Sequence, residues 1–359
     1  MNVAFVKTPT AALGAKPTIA LVGLVVARGR LAAMKSNQAA MPGRTRVVDS
    51  IFEFELQGRT LYVDAQHVPE CVELWRTGRY TQLGISDYEN PGLKSIDFIE
   101  AFFPVTDLHL MLFDKVDLSV LRGNAEWFKH FFTNAGANAI NDVTPFTRLE
   151  SLGQPWTKKF RVDASLDRLK GLALGGFRPA SGDVMDLSVL PKLERLSLYS
   201  NRVQSLKGLE TMLGLREFSV SSAPKLEDID PIGNLKELRE LRFENCKVAR
   251  GFADMVHGEH MLTLRYMKCS PLEHVRFVSR LRSLQSFVFM DTDVLDGDMG
   301  PLVAHPTLAH VALTKKKHFT LSERQILEEI GDREGGVRAR MALLKLKKAA
   351  AAAATQEVR

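Results

Sequence analysis

The spacing L-x-x-L-x-L returns seven times between residues 169 and 316, with start-to-start steps of 24, 22, 23, 23, 23 and 24 residues. The copies are LKGLALGGF from Leu169, LERLSLYSN from Leu193, LREFSVSSA from Leu215 and LRELRFENC from Leu238. MLTLRYMKC from Met261, LQSFVFMDT from Leu284 and LAHVALTKK from Leu308 complete the series. A chain that is merely apolar does not hold such a register. In each copy the second and third apolar residues lie two apart, so both point to one face of a short strand while their neighbours point to the other. One coil cannot bury its own leucines. Stacked coils can, and the stack sets the strands side by side in a parallel sheet. The expected fold class is an α/β solenoid.

Upstream the pattern thins. YTQLGISDY from Tyr80 and VTDLHLMLF from Val105 fit it. FKHFFTNAG from Phe128 places Thr133 in an apolar slot, and FTRLESLGQ from Phe146 does the same with Ser151. TLYVD, with Leu61 and Val63, reads as an opening strand after the alternating run IFEFEL at Ile51 to Leu56. These readings predict ten to twelve coils, an inner arc of roughly 55 Å at about 4.8 Å per strand. The repeat domain is expected over 49–320, with opening cap strands at 49–66, degenerate repeats at 80–168 and regular repeats at 169–316. VPECVELWR and LEHVRFVSRL read as helical segments of the outer side. Ser322 followed three residues later by Gln325 is a capping-box spacing, so a capping helix is expected within 321–334. Residues 1–48 are expected to be an N-terminal extension, either disordered or a signal or mis-start segment, and 335–359 a basic, alanine-rich tail.

The ninth position of successive regular coils carries Asn201, Ala223, Cys246, Cys269 and Thr292. It points into the stack where the strand bends away, and a small polar group there can bond backbone left unpaired by the bend. These residues are predicted to be structural.

Residues 169–316 resemble the leucine-rich repeats of the 22-residue class, the type found in internalins and in regulatory phosphatase subunits. The copy LERLSLYSNRVQSLKGLETMLG matches that class at its apolar positions and at Asn201. The steps run slightly long and most coils lack the asparagine, so no subfamily is assigned. The resemblance implies a horseshoe with a parallel sheet on its concave face and mixed helical and irregular segments on its convex face. It also implies that the inner sheet binds another protein, and it implies no chemistry.

Charge bears on the choice of partner. The net charge is +6, but residues 1–49 carry a net +6, residues 331–359 a net +4 and residues 50–330 a net −4. The basic character sits in the two ends and the body is faintly acidic, so no nucleic-acid groove is expected. Three cysteines, Cys71, Cys246 and Cys269, suit a reducing compartment better than a disulfide-stapled secreted domain. TIALVGLVVA, Thr18 to Ala27, is about half of what a bilayer span needs. A cytoplasmic monomer is expected. The alternative is a secreted effector or surface protein, with Thr18–Ala27 as the apolar core of a signal peptide.

The candidate surface is the outward strand face, read at the third, fifth and seventh positions. It offers Arg195, Tyr199, Glu217, Glu240, Arg242, Glu244, Arg265, Met267, Met290 and His310 as partner-binding residues. Tyr and Arg are frequent interface anchors and Met suits adaptable contacts. Arg242 and Arg265 fall in one column of adjacent coils, flanked by Glu217, Glu240 and Glu244, with an apolar shoulder at Met267, Val288 and Met290. The alternative is a solvated sheet face whose charges pair across strands. Asp107, His109 and Met111 would extend the patch N-terminally.

No catalytic residue, cofactor or metal is expected. Cys246, His257, His260 and Cys269 resemble a zinc set in composition, but His260 and Cys269 bracket a strand and would lie about 25–30 Å apart if extended. The chain contains no G-x-S-x-G and no P-loop.

Overall fold

The computed structural model describes residues 60–336, except 135, 191, 248–250, 257, 334 and 335. The run Thr18–Ala27, the segment Ile51–Leu56, His257 and the tail beyond residue 336 lie outside the described residues. Each coil from Leu61 onward contributes one strand: β1 (Thr60–Tyr62), β2 (Gln82–Ser86), β3 (Asp107–Met111), β4 (His130–Thr133), β5 (Ser151–Pro155) and β6 (Gly171–Gly175). The regular coils continue with β7 (Arg195–Tyr199), β8 (Glu217–Ser221), β9 (Glu240–Glu244), β10 (Thr263–Met267), β11 (Ser286–Phe289) and β12 (His310–Leu313). The twelve strands form one sheet in sequence order, and every pairing is parallel. The chain is a leucine-rich repeat solenoid.

Register places the apolar residues in columns. Leu196, Phe218, Leu241 and Leu264 are direct partners on neighbouring strands and are almost wholly buried. The next inward column runs Leu198, Val220, Phe243, Tyr266. Outward of them the strands carry the half-buried third, fifth and seventh positions. The convex side is built from short pieces. VPECVELWR forms helix α1 (Val68–Arg76), α2 (Ser119–Gly123) and α3 (Phe252–Met255) are single turns, and α4 (Gly300–Ala304) precedes the last strand. The segment read as helical around Val275 folds as a 3-10 turn, Arg276–Arg280, because a 23-residue coil leaves no room for a longer rod.

One upstream register differs from expectation. The pairing of Leu152 with Leu172 makes Leu149, not Phe146, the first position of its coil. Gln154 therefore fills the third apolar slot, fully buried, and Ser151 faces the concave side. Gln154 is tolerated because its amide satisfies Ile140 twice, accepting from Ile140 N and donating to Ile140 O, both at 2.9 Å. Thr133 keeps the slot predicted for it and is buried.

The inward ninth position behaves as its chemistry requires. Asn201 donates to Leu198 O at 3.3 Å and Ser221 O at 3.4 Å and accepts from Val203 N at 3.2 Å. Cys246 bonds Glu244 O, Cys269 bonds Met267 O, and Thr292 bonds Tyr266 O at 3.0 Å. The residue before it was not singled out by the sequence, yet it turns left-handed in six successive coils: Gly176, Ser200, Ser222, Asn245, Lys268 and Asp291. Each of the first five donates its N–H to a carbonyl at the end of the next strand. Lysine is a poor choice for that conformation, which costs a residue with a Cβ about 1–2 kcal/mol. Lys268→Val is expected to lower unfolding stability by about 1 kcal/mol or more, while Lys268→Gly holds or improves it. Urea unfolding of the two variants checks this, since the exposed lysine side chain contributes little packing.

The C-terminal end is covered by α5 (Glu323–Ile330). Ser322 and Gln325 form the anticipated reciprocal cap, and Glu323 accepts from Leu313 N at 2.9 Å. Arg333 then clamps the preceding coil through Val303 O at 2.8 Å, Leu308 O at 2.9 Å and His305 O.

Candidate functional site

The concave face changes character along the sheet, and residue size is the cause. At β6 it carries Gly171, Ala173 and Gly175, so backbone is bare. The neighbouring coil lies down over it. A Cβ on Gly175 would stand 2.4–2.6 Å from the Tyr199 ring, and one on Gly171 would stand 3.1 Å from Arg195 Nη2. Tyr199 and Arg195 are thus held against the sheet rather than projected from it. Burial raises the Tyr199 hydroxyl above the ordinary tyrosine range. Arg195 Nε is buried with no hydrogen-bond partner. The depression floored by Ser151, Gly171 and Ala173 holds only ≈ 10 Å³, room for about one water at most. It cannot take a small molecule.

From β8 to β11 the face is built of longer side chains. Glu217 pairs in register with Glu240, Arg242 with Arg265, and Glu244 with Met267. Arg242 Nη2 is ion-paired with Glu244 two residues along the same strand, and its Nε is buried without a partner. Arg265 sits across from Arg242. Burial lowers its pKa and Arg242 adds to that, while Glu240 and Glu244 oppose the shift. Glu240 is exposed, yet the protein mass around it raises its carboxyl, with Arg265 pulling the other way. Two like-charged guanidiniums abreast, compensated by carboxylates on either side, form one partly desolvated charge cluster. Met290 is 38% exposed and continues the cluster into apolar surface with Val288 and Met267, which are half-buried. His310, at the next strand, shares a hydrogen bond with Ser286 Oγ at 3.0 Å.

The ten sequence-predicted residues all fall on the concave face, and seven of them (Glu217, Glu240, Arg242, Glu244, Arg265, Met267 and Met290) lie on β8–β10 and at the end of β11. Arg195 and Tyr199 belong to the glycine-floored seam beside them, and His310 to the far edge. Asp107, His109 and Met111 lie on β3, four or more strands from that cluster.

His109 stacks edge-on against Phe132, ring centres 4.6 Å apart, and desolvation lowers its pKa to about 4. A histidine that stays neutral when folded but takes a proton near 6.5 when unfolded destabilises the fold as pH falls through that interval. Stability is fully present above about 6.5 and is lost progressively toward about 4. Wild type should therefore lose more urea resistance than His109→Gln between pH 7 and pH 5, and equal losses would refute the assignment.

The cysteines are all buried, free thiols. Cys246 and Cys269 occupy equivalent places in adjacent coils and share a thiol hydrogen bond. That bond and burial hold the Cys269 thiol protonated, above the ordinary range, while the same bond lowers Cys246 against the opposing effect of burial. Burial likewise pushes Cys71 up. Their neighbours are backbone carbonyls, which suits a structural part. A recess of ≈ 510 Å³ outside the concave face is lined by Asn141, Asp142, Lys158, Lys159, Phe160 and Arg161. No helix among the described residues is long and apolar enough to cross a membrane.

No protein-family model matches the sequence, and neither does any curated protein. Among solved structures the chain is similar to internalin C2 from Listeria monocytogenes, at 17% identity over 63% of this chain and 78% of that one, with a TM-score of 0.33. It is also similar to the functional domain of InlJ from Listeria monocytogenes, which includes a cysteine ladder: 15% identity, 72% of this chain, 63% of that chain, TM-score 0.47. A third likeness is to the mouse RP105/MD-1 complex, at 16% identity over 70% of this chain and 50% of that one, TM-score 0.46. The fold rests on the chain's own strand register, not on these likenesses.

Proposed function

We propose that the protein is a non-enzymatic binding solenoid that recognises a protein partner on the concave face of its sheet, centred on β8 to β11. The observation that carries this reading is the cluster around Arg242 and Arg265. Charges held half out of water beside exposed Met290 cost free energy in the isolated protein, and a complementary surface would recover it. Arg265 is the better anchor of the two, because Arg242 already has Glu244 on its own strand. Tyr199 and Arg195 serve as a preformed border, held against the glycines of β6.

The test replaces Arg265 by Glu and Met290 by Glu, one at a time, in the full chain. Proteins that co-purify at native levels with wild type are identified, and their affinities for each variant are measured. Each variant is expected to weaken binding at least tenfold without changing the thermal midpoint. If every co-purifying protein binds both variants with wild-type affinity, the concave-face reading is wrong.

Three buried thiols without a disulfide support a cytoplasmic setting. N-terminal sequencing of the native protein tests it: a mature start near residue 28 would favour the secreted alternative.

A further inference from the structure

In the coils of β6 to β11 the ninth position is interior: Phe177, Asn201, Ala223, Cys246, Cys269 and Thr292 are all buried there. In the coils of β2 and β3 the same position carries Tyr88 and Phe113, and these are 64% and 61% exposed. In the first of these coils the inward duty has passed to Asn90, which donates to Val63 O at 2.8 Å and accepts from Ala65 N at 2.7 Å. In the second, Asn138 reaches back from the following coil to Leu112 O at 3.1 Å and Asp114 O at 2.7 Å. The backbone groups of Val63, Ala65, Leu112 and Asp114 have these partners, and two large apolar side chains are left facing solvent on adjacent loops.

The loops that present them are fixed. The Asp87 carboxylate accepts from Phe113 N and, at 3.2 Å, from Asp114 N, tying one loop to the next. Ser86 Oγ accepts from Tyr88 N at 3.2 Å and donates to Glu89. An aromatic pair on a pinned rim loses little conformational entropy when covered, which is the property of an interface anchor. The charge around the pair has one dominant sign. Asp87, Glu89 and Asp114 are its chain neighbours, with the Asp87 carboxylate bonded to the Phe113 loop, and Lys115 is the neighbouring cation. Met111, at the end of β3, joins the rim to the concave face.

We infer that the rim at Tyr88 and Phe113 is a second interaction surface, which takes a basic segment of a partner protein carrying an apolar or aromatic anchor between Lys or Arg side chains. The anchor packs between the two rings, and the cations meet Asp114, Glu89 and the outer oxygen of Asp87. This surface lies seven strands from the Arg242–Arg265 cluster, roughly 34 Å along the sheet, so the two can be occupied independently.

Random dodecapeptides displayed on phage and selected on the full chain provide the probe. Two variants separate this surface from the rest of the molecule: Tyr88→Ser/Phe113→Ser, and Asp114→Lys. All three side chains are exposed, so circular dichroism and the thermal midpoint should match wild type. Selected peptides are expected to be enriched in Lys and Arg flanking an aromatic or aliphatic residue. Their affinities should fall at least tenfold in each variant and weaken with added salt, and Arg265→Glu should leave them unchanged. A selected pool without cationic enrichment, peptides that bind both variants as well as wild type, or a selection that returns no peptide would each overturn the proposal. Loss on Arg265→Glu with retention in the rim variants would instead place the peptides on the first surface and also overturn it.

Discussion

Phe243→Ala is expected to cost about 3–5 kcal/mol of unfolding free energy, the range for removing a large aromatic from a packed core. Phe243 has no exposed surface and stands at a crossing of rings. Phe252 lies 5.3 Å away at 72°, Tyr266 6.1 Å away, and Phe218 6.3 Å away at 79°. The edge-to-face contacts add to the area term by roughly 0.5–1.5 kcal/mol each. The cavity cannot close easily, because its walls belong to three coils whose strands are locked in register. The loss also propagates in a particular way. A solenoid is stabilised by contacts between neighbouring coils, so a weak interface in the middle uncouples the two flanks. Urea unfolding of the variant should broaden or split into two transitions, and amide exchange should accelerate first on β8 to β10. A single transition within about 1 kcal/mol of wild type would mean that the column is not packed as described.

Gln154→Leu restores the apolar residue that the repeat pattern calls for, and the expected result is nevertheless destabilisation by about 2–4 kcal/mol. The leucine would leave Ile140 N and Ile140 O without partners, at about 1–3 kcal/mol for each orphaned group, and only part of this returns through apolar burial. Thermal and urea unfolding decide the matter. A variant at least as stable as wild type would show that Ile140 finds other partners and that the buried amide is dispensable.

This glutamine also shows where sequence reading runs out. From Leu169 onward each coil announces itself, because burial of its apolar positions depends only on their own spacing. Around residue 150 the slot is filled by a polar side chain whose justification is Ile140, in the preceding coil, and no local pattern reveals that partner. The left-handed residue was legible in principle. Gly176, Asn245 and Asp291 are types that tolerate the conformation, but Ser200, Ser222 and Lys268 blur the signal. Arg242, Arg265 and the glutamates were placed on one face by parity alone, and the pairing of Arg242 with Glu244 was not visible because two residues on one strand face carry no order of preference. Tyr199 was read as a projecting anchor. Its resting place depends on the absence of a side chain at Gly175, one coil earlier. Tyr88 and Phe113 were missed although the signal existed: a large aromatic at the ninth position, where the other coils keep mostly small residues.

The glycine-floored strand β6 has a consequence for how such a wall can change. The glycines let Arg195 and Tyr199 of the next strand lie flat over the main chain, so recognition is tuned mainly to either side of this seam. Edits to one flank leave the shape and chemistry of the other untouched. A single array of coils can in this way exchange one client while keeping a second, a freedom that a continuous surface of interlocking side chains would not have.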